Sequence, residues 1–330
     1  MSAVLEEKEY EHQPDKPDTL QGSEVQGADT DKIDADMFKI VGTGYKTHVP
    51  KEKKKTAGQK IRELPLASFI VLGVIVFGCI FAPLIANHDP TGFFLKNTNE
   101  PPSGEFYFGT DSLGRDIFSM IWYGGRVSII IGLLGAFITA LIGTVYGSLS
   151  GTAGEKADSV LMRITEMSGS IPTILLILVI TAVFNSNNVV TLSVVIGITS
   201  WFGLARIVRS ETRQIRNSDY VLYARSVGGK FFYIFRKHLF PNFISAIMFA
   251  VVSAVGTAIT MESTLSFLGL GLPVDVISWG SMLSLANKAL VMDTWWVIIA
   301  PGVFLITTLV CITNIANYYR KEKNKTPSNL

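Results

Sequence analysis

Glu262 is the one carboxylate in the apolar run 243–271, within "AITMESTLSFLGLGLP". A charge in such a run is costly and by default marks a functional residue. Two readings are open. Near the outer end of a helix, Glu262 could be wet or bonded to Ser263 or Ser266 as a structural group. Alternatively, the three residues line a path for a polar solute. A second constellation is "GTDSLGRD", with Thr110, Asp111, Arg115 and Asp116. Asp111 can cap a helix start, and Arg115 four residues on can pair with it. Such a turn either stabilises the surrounding fold or meets an external partner. The third is "YVLYARSVGGKFFYIFRKHLFPN", 220–242, basic and aromatic around a Gly-Gly step. Enzyme chemistry is not indicated. None of His12, His48, His88 and His238 falls inside an apolar run, and no metal-ligand cluster, nucleophile elbow or phosphate-cradling glycine loop occurs. No catalytic residue, metal or bound cofactor is expected in this chain, nor a nucleic-acid partner.

The elements that would position these groups are membrane spans. Of 330 residues, 48% are apolar and 17% charged. The run 64–87 has no charge and is long enough to cross a bilayer as a helix. It begins too far into the chain for a secretory signal. Further apolar runs at 127–150, 159–185, 189–207, 243–271 and 293–318 give six expected spans. The lipid bilayer is thus the first partner. Gly143, Gly147 and Gly151 recur every four residues along the second run, a small-residue stripe that lets helices approach closely. Cys79 and Cys311 lie within apolar runs and read as small hydrophobes.

Lys and Arg set the expected orientation. They crowd 51–62, the 206–237 segment and 320–325, whereas 88–125 holds only Lys96 and Arg115 against five acids. Six spans then place both termini in the cytoplasm. The expected organisation is a largely disordered cytoplasmic tail, 1–63, ending in a basic block. A six-span domain, 64–319, follows, with an external loop 88–126 and a cytoplasmic loop 208–242. A short cytoplasmic tail, 320–330, completes it. The basic block serves as a topology signal or touches anionic headgroups.

Within the cytoplasmic loop, 217–227 suits a short helix stopped by Gly228 and Gly229. A second helix over 230–239 would place Phe231, Ile234, Phe235 and His238 on one face. So short a hairpin barely holds in water without a partner for that face. It either rests on the inner membrane surface or docks into another protein.

Residues 219–242 resemble the cytoplasmic loop of binding-protein-dependent ABC importer permeases, which carry a Glu-Ala-Ala triplet, a following Gly and a later hydrophobic-Pro. Here "LYARSVG" supplies Ala224 and Gly228 at the matching spacing, and "LFPN" supplies the end. Leu222 and Tyr223 stand where Glu and Ala are usual. Most of 64–310 shares the resemblance: "FGTDSLGRDIFSMIWYGGRVS", "STLSFLGLGLP" and "SWGSMLSLA" look like the C-type permease subunit of the peptide/nickel subfamily. The end "TNIANYYRKEKN" and the long acidic N-terminal stretch depart from it.

The resemblance implies an all-α polytopic protein with the type I ABC importer permease (MetI-like) fold. It also implies a heterodimeric partner permease, two ATPase subunits and an extracellular or periplasmic substrate-binding protein. ATP and Mg would be bound by the ATPases. Tyr223, Ala224, Arg225, Gly228, Gly229, Phe231 and Phe235 would couple the spans to an ATPase. Oligopeptides or dipeptides are the implied cargo, with nickel chelates, glutathione and oligosaccharides as alternatives. A membrane anchor or receptor scaffold is the rival class, and it would need neither the hairpin nor the glycine stripe.

Overall fold

A chain whose apolar runs must satisfy every backbone group within lipid has helices as its simplest solution. The computed structural model describes residues 64–184, 188–216, 221, 226, 228, 240–273 and 275–325. Among these residues the elements are all helical: α1 (Leu66–Ile80), α2 (Ala82–Ile85), α3 (Ile117–Thr152), α4 (Glu155–Gly169), α5 (Thr173–Phe184), α6 (Val189–Arg216), α7 (Phe240–Phe267), α8 (Trp279–Leu283), α9 (Ala286–Val291) and α10 (Trp296–Lys325).

Four of them, α3, α6, α7 and α10, are long and apolar enough to cross a membrane, and α4 with α5 makes a fifth if the pair is one span. The expected six are therefore not all continuous helices. Prolines explain the interruptions. Pro172 precedes α5, and α4 and α5 meet at 83°. A proline lacks the amide donor and pushes the residue before it, here Ile171, out of helical geometry. Pro83 sits in the first turn of α2, and the 15-residue α1 ends just before it.

The second apolar run extends further than its composition marks, because α3 starts at Ile117. Its cap is Asp116, whose carboxylate accepts the Ser119 N–H at 2.9 Å. The glycine stripe of α3 faces α6. A β-carbon on Gly147 would lie 2.5 Å from the Ala205 carbonyl oxygen, and one on Gly151 2.7 Å from Thr212 Cβ. Small residues at this seam let two backbones touch, which is how spans gain packing when lipid is as apolar as leucine.

α7 packs on α3, α6 and α10, and α10 also meets α1. Apolar side chains such as Ile70, Val74 and Phe77 on α1, and Leu133, Phe137 and Leu141 on α3, point outward. In a lipid solvent that exposure carries no penalty. Arg126 of α3 fastens α1 by donating from Nε to the Cys79 carbonyl and from Nη2 to that of Ile80, each at 2.5 Å. Those carbonyls lie in the last turn of α1, where no further helical donor exists.

Candidate functional site

The structure distributes the sequence-predicted residues over three places. At the end of the bundle bearing Asp116, chain 88–116 folds back on itself. Asp111 and Arg115 form the expected ion-paired turn: Arg115 Nε and Nη2 each lie 2.8 Å from Asp111 Oδ2. Asp111 Oδ1 also accepts the backbone N–H groups of Leu113 and Arg115 at 2.9 Å. Asp111 caps this turn and not the helix. The helix cap belongs to Asp116, because Gly114 interrupts the backbone between them with φ +74°. A β-carbon at Gly114 would strike the Phe94 carbonyl. Thr110 pairs with Asp116 in an isolated antiparallel bridge, and its carbonyl accepts the Trp296 indole N–H at 3.1 Å. All four residues are buried.

In the middle of this end, Glu262 is fully buried, so the wet alternative does not hold. Ser266 and Ser278 donate to Oε1 at 2.9 and 2.6 Å. Ser128 and Ser263 donate to Oε2 at 3.2 and 3.3 Å. Three of the serines take a second bond: Ser278 Oγ accepts the Ser281 N–H at 3.0 Å, Ser128 Oγ the Trp279 N–H at 3.2 Å and Ser266 Oγ the Leu272 N–H at 3.5 Å. Glu262 thereby ties α7 to α3 and to the start of α8. A buried acceptor is tolerated where donors surround it.

A separate face of α7 meets α10 in a groove of about 410 Å³, lined by Ser253, Gly256, Thr257, Thr260, Met261, Leu309, Ile312 and Thr313. Ser253, Thr257, Thr260 and Thr313 are exposed. The threonines donate to carbonyls one turn earlier, Thr257 to Ser253, Thr260 to Gly256 and Thr313 to Leu309, at 3.1, 2.8 and 2.8 Å. Back-bonding of this kind satisfies the hydroxyl proton inside an apolar medium and leaves the oxygen free to accept.

At the opposite end, Asp158 in the first turn of α4 is 3% exposed. Its Oδ1 accepts from Ser150 Oγ of α3 at 2.5 Å and from Arg209 Nε of α6 at 2.9 Å. Its Oδ2 meets Arg209 Nη2, and Arg213 Nη2 at 2.9 Å. Arg216 donates to the Thr152 and Ala153 carbonyls at 2.8 and 3.2 Å, closing the end of α3. Arg209, Arg213 and Arg216 are spaced to share one face of α6. The basic residues read from sequence as a topology signal thus also clamp three helices. The i, i+4, i+7 spacing was the available signal, but Asp158 lies far away in sequence.

Between Arg216 and Phe240 only Val221, Ser226 and Gly228 are described. Tyr223, Ala224, Arg225, Gly229, Phe231 and Phe235 lie outside the described residues. Val221 is fully buried in a cluster with Leu204, Val208 and Ile247. Gly228 is exposed at φ +86°, with no atom near the place a β-carbon would take. That is the left-handed geometry of a helix stop. Among the described residues no group of His, Cys, Asp and Glu could hold a metal ion.

Residues 143–324 match the family of binding-protein-dependent transport system inner membrane components. Residues 62–102 match the N-terminal TM domain of oligopeptide transport permease C. The chain is 37% identical over 250 residues to the dipeptide transport system permease protein DppC of Bacillus subtilis (strain 168), covering 76% of this chain and 78% of the relative. It is 37% identical to the oligopeptide transport system permease protein OppC of the same organism, covering 74% and 80%. It is 35% identical to the OppC protein of Haemophilus influenzae (strain ATCC 51907 / DSM 11121 / KW20 / Rd), covering 77% and 82%.

Proposed function

Because the chain belongs to the family of binding-protein-dependent transport system inner membrane components, we propose that it is one of two unlike permease subunits of an ATP-driven importer of dipeptides or oligopeptides. The relatives named for dipeptide and oligopeptide transport support that cargo. Two partner ATPases supply the energy and bind ATP and Mg. A substrate-binding protein delivers the peptide from outside. This subunit itself performs no catalysis.

The observation that carries the reading is the course of α6. It runs unbroken from the apolar bundle to Arg216, is clamped there, and leads toward Gly228 at φ +86° and the aromatic sequence 230–239. A lever held by one helix on each side, α6 and α7, suits a hairpin that docks on an ATPase. Tyr223, Ala224, Arg225, Gly228, Gly229, Phe231 and Phe235 form that dock. The Arg216 end is then cytoplasmic and the Asp116 end external, as the lysine and arginine distribution supports.

We assign the pathway surface to the groove of Ser253, Thr257, Thr260 and Thr313 rather than to Glu262, Ser263 and Ser266. The groove offers hydroxyl oxygens to the amide and ammonium donors of a peptide, and the partner permease would close its open side. Glu262 and its serines face inward and act as a structural tie. Thr110, Asp111, Arg115 and Asp116 stabilise the external cap on which the binding protein rests.

Deleting this chain and measuring uptake of a labelled peptide tests the proposal. Loss of ATP-dependent uptake, restored by the intact chain, is expected. Undiminished peptide uptake in the deletion strain would refute the cargo.

A further inference from the structure

Asp158 is buried at the end of the bundle where α6 reaches Arg216, and it is bonded to α3 and to α6. We infer that Asp158 is a positioning residue that carries a displacement at the Arg216 end of α6 into α4 and α5; this rests on the permease reading above. The inference starts from how differently α6 grips its two neighbours. Against α3 it is seated by backbone-level contacts, since a β-carbon on Gly143 would lie 2.9 Å from Leu204 Cβ and one on Gly147 2.5 Å from the Ala205 oxygen. Those two helices move as one body, because close-packed seams have no room to slide.

The grip on α4 is of another kind. At the inner end its polar part centres on one carboxylate receiving Arg209 and Arg213 from α6 and Ser150 from α3. Tyr146 of α3 adds a single bond to the Leu161 carbonyl at 2.8 Å. Beyond Gly169 the chain turns 83° into α5, so α4 is joined to the apolar bundle through a bend and to the lever through Asp158. A displacement of Arg216 by a docked ATPase is transmitted by Arg213 and Arg209, one and two turns earlier on the same helix face, to the first turn of α4. Arg213 is 40% exposed and Arg209 29%, which leaves both side chains room to follow the carboxylate as the helices shift.

The test uses the whole transporter, purified with its partner permease and ATPases and reconstituted in lipid vesicles. The readout is the ratio of ATP hydrolysis with peptide-loaded binding protein to that without it. Asp158→Asn keeps the shape and removes the charge. The ratio is expected to fall at least fivefold toward unity while unstimulated hydrolysis and subunit stoichiometry stay as in the wild type. Asp158→Glu should recover part of the stimulation. An assembled Asp158→Asn complex with the wild-type ratio overturns the inference. Should Asp158→Asn fail to assemble, Arg213→Gln removes a single half-exposed contact. A reduced ratio there supports the inference, and an unchanged one overturns it. A wild-type complex that carries no ATPase, or whose hydrolysis ignores the binding protein, instead removes the permease reading and the inference with it.

Discussion

The Ser278 hydroxyl donates to the Glu262 carboxylate at 2.6 Å while accepting the Ser281 N–H at 3.0 Å. One side chain therefore caps α8 and fastens it to α7. Three more hydroxyls converge on the same carboxylate, one from α3 and two from α7.

Removing that acceptor should cost stability and leave the pathway chemistry alone. Glu262→Ala strands four buried hydroxyls and opens a cavity, a loss of about 2–4 kcal/mol. Glu262→Gln keeps the shape and one oxygen and should lose about 1 kcal/mol. The thermal midpoint of the detergent-solubilised transporter reads both. An unshifted midpoint for the alanine variant would return Glu262 to a pathway role.

The Asp111–Arg115 pair leads to a second expectation. Arg115→Ala leaves Asp111 buried with only backbone donors, at about 3 kcal/mol. Assembly should therefore fall more than docking of the binding protein, measured as subunit level in membranes against binding-protein pull-down. Normal levels with selective loss of docking would make the turn a contact surface instead.

Much of this architecture is legible in the chain. Long apolar runs, the four-residue glycine spacing and the i, i+4 placement of Asp111 and Arg115 are local patterns, and each reappears in the structure. What is hidden depends on distant partners. Ser128 lies in another helix from Glu262, and Asp158 is separated from Arg209 by most of α4, all of α5 and most of α6. Composition marks the 206–216 segment as basic without saying what the charges hold. Pro172 was a visible sign that the third apolar run breaks, but a hydropathy reading averages over a bend.

The glycine seam gives a third test. Gly147→Val places its side chain against the Ala205 carbonyl and Val208, forcing α3 from α6 at about 1–3 kcal/mol. Gly203→Ala, where nothing lies within 4 Å, should be neutral. Thermal midpoints of the two variants compare them directly, and equal values would mean the seam is not tightly packed in the membrane.

Orientation can be checked by chemistry. Cys79 and Cys311 are buried, so single cysteines at Ser103, Ser23 or Ser218 report against a low background. In intact cells an impermeant thiol reagent should modify the Ser103 variant alone. Labelling at Ser218 from outside would reverse the proposed topology.

The central claim is that the 217–239 hairpin couples this permease to its ATPases. Gly228 lies at φ +86°, where a residue with a β-carbon costs roughly 1–2 kcal/mol. Phe231 and Phe235 provide the proposed docking face, where removing aromatic anchors costs a few kcal/mol, at least tenfold in affinity. The most direct measurement is ATP-dependent peptide uptake by cells carrying Phe231→Ala with Phe235→Ala, scored alongside ATPase co-purification. The account predicts normal insertion, abolished uptake and weakly retained ATPases. Wild-type uptake with the ATPases still bound would contradict it, and the aromatic face would then belong to the lipid surface.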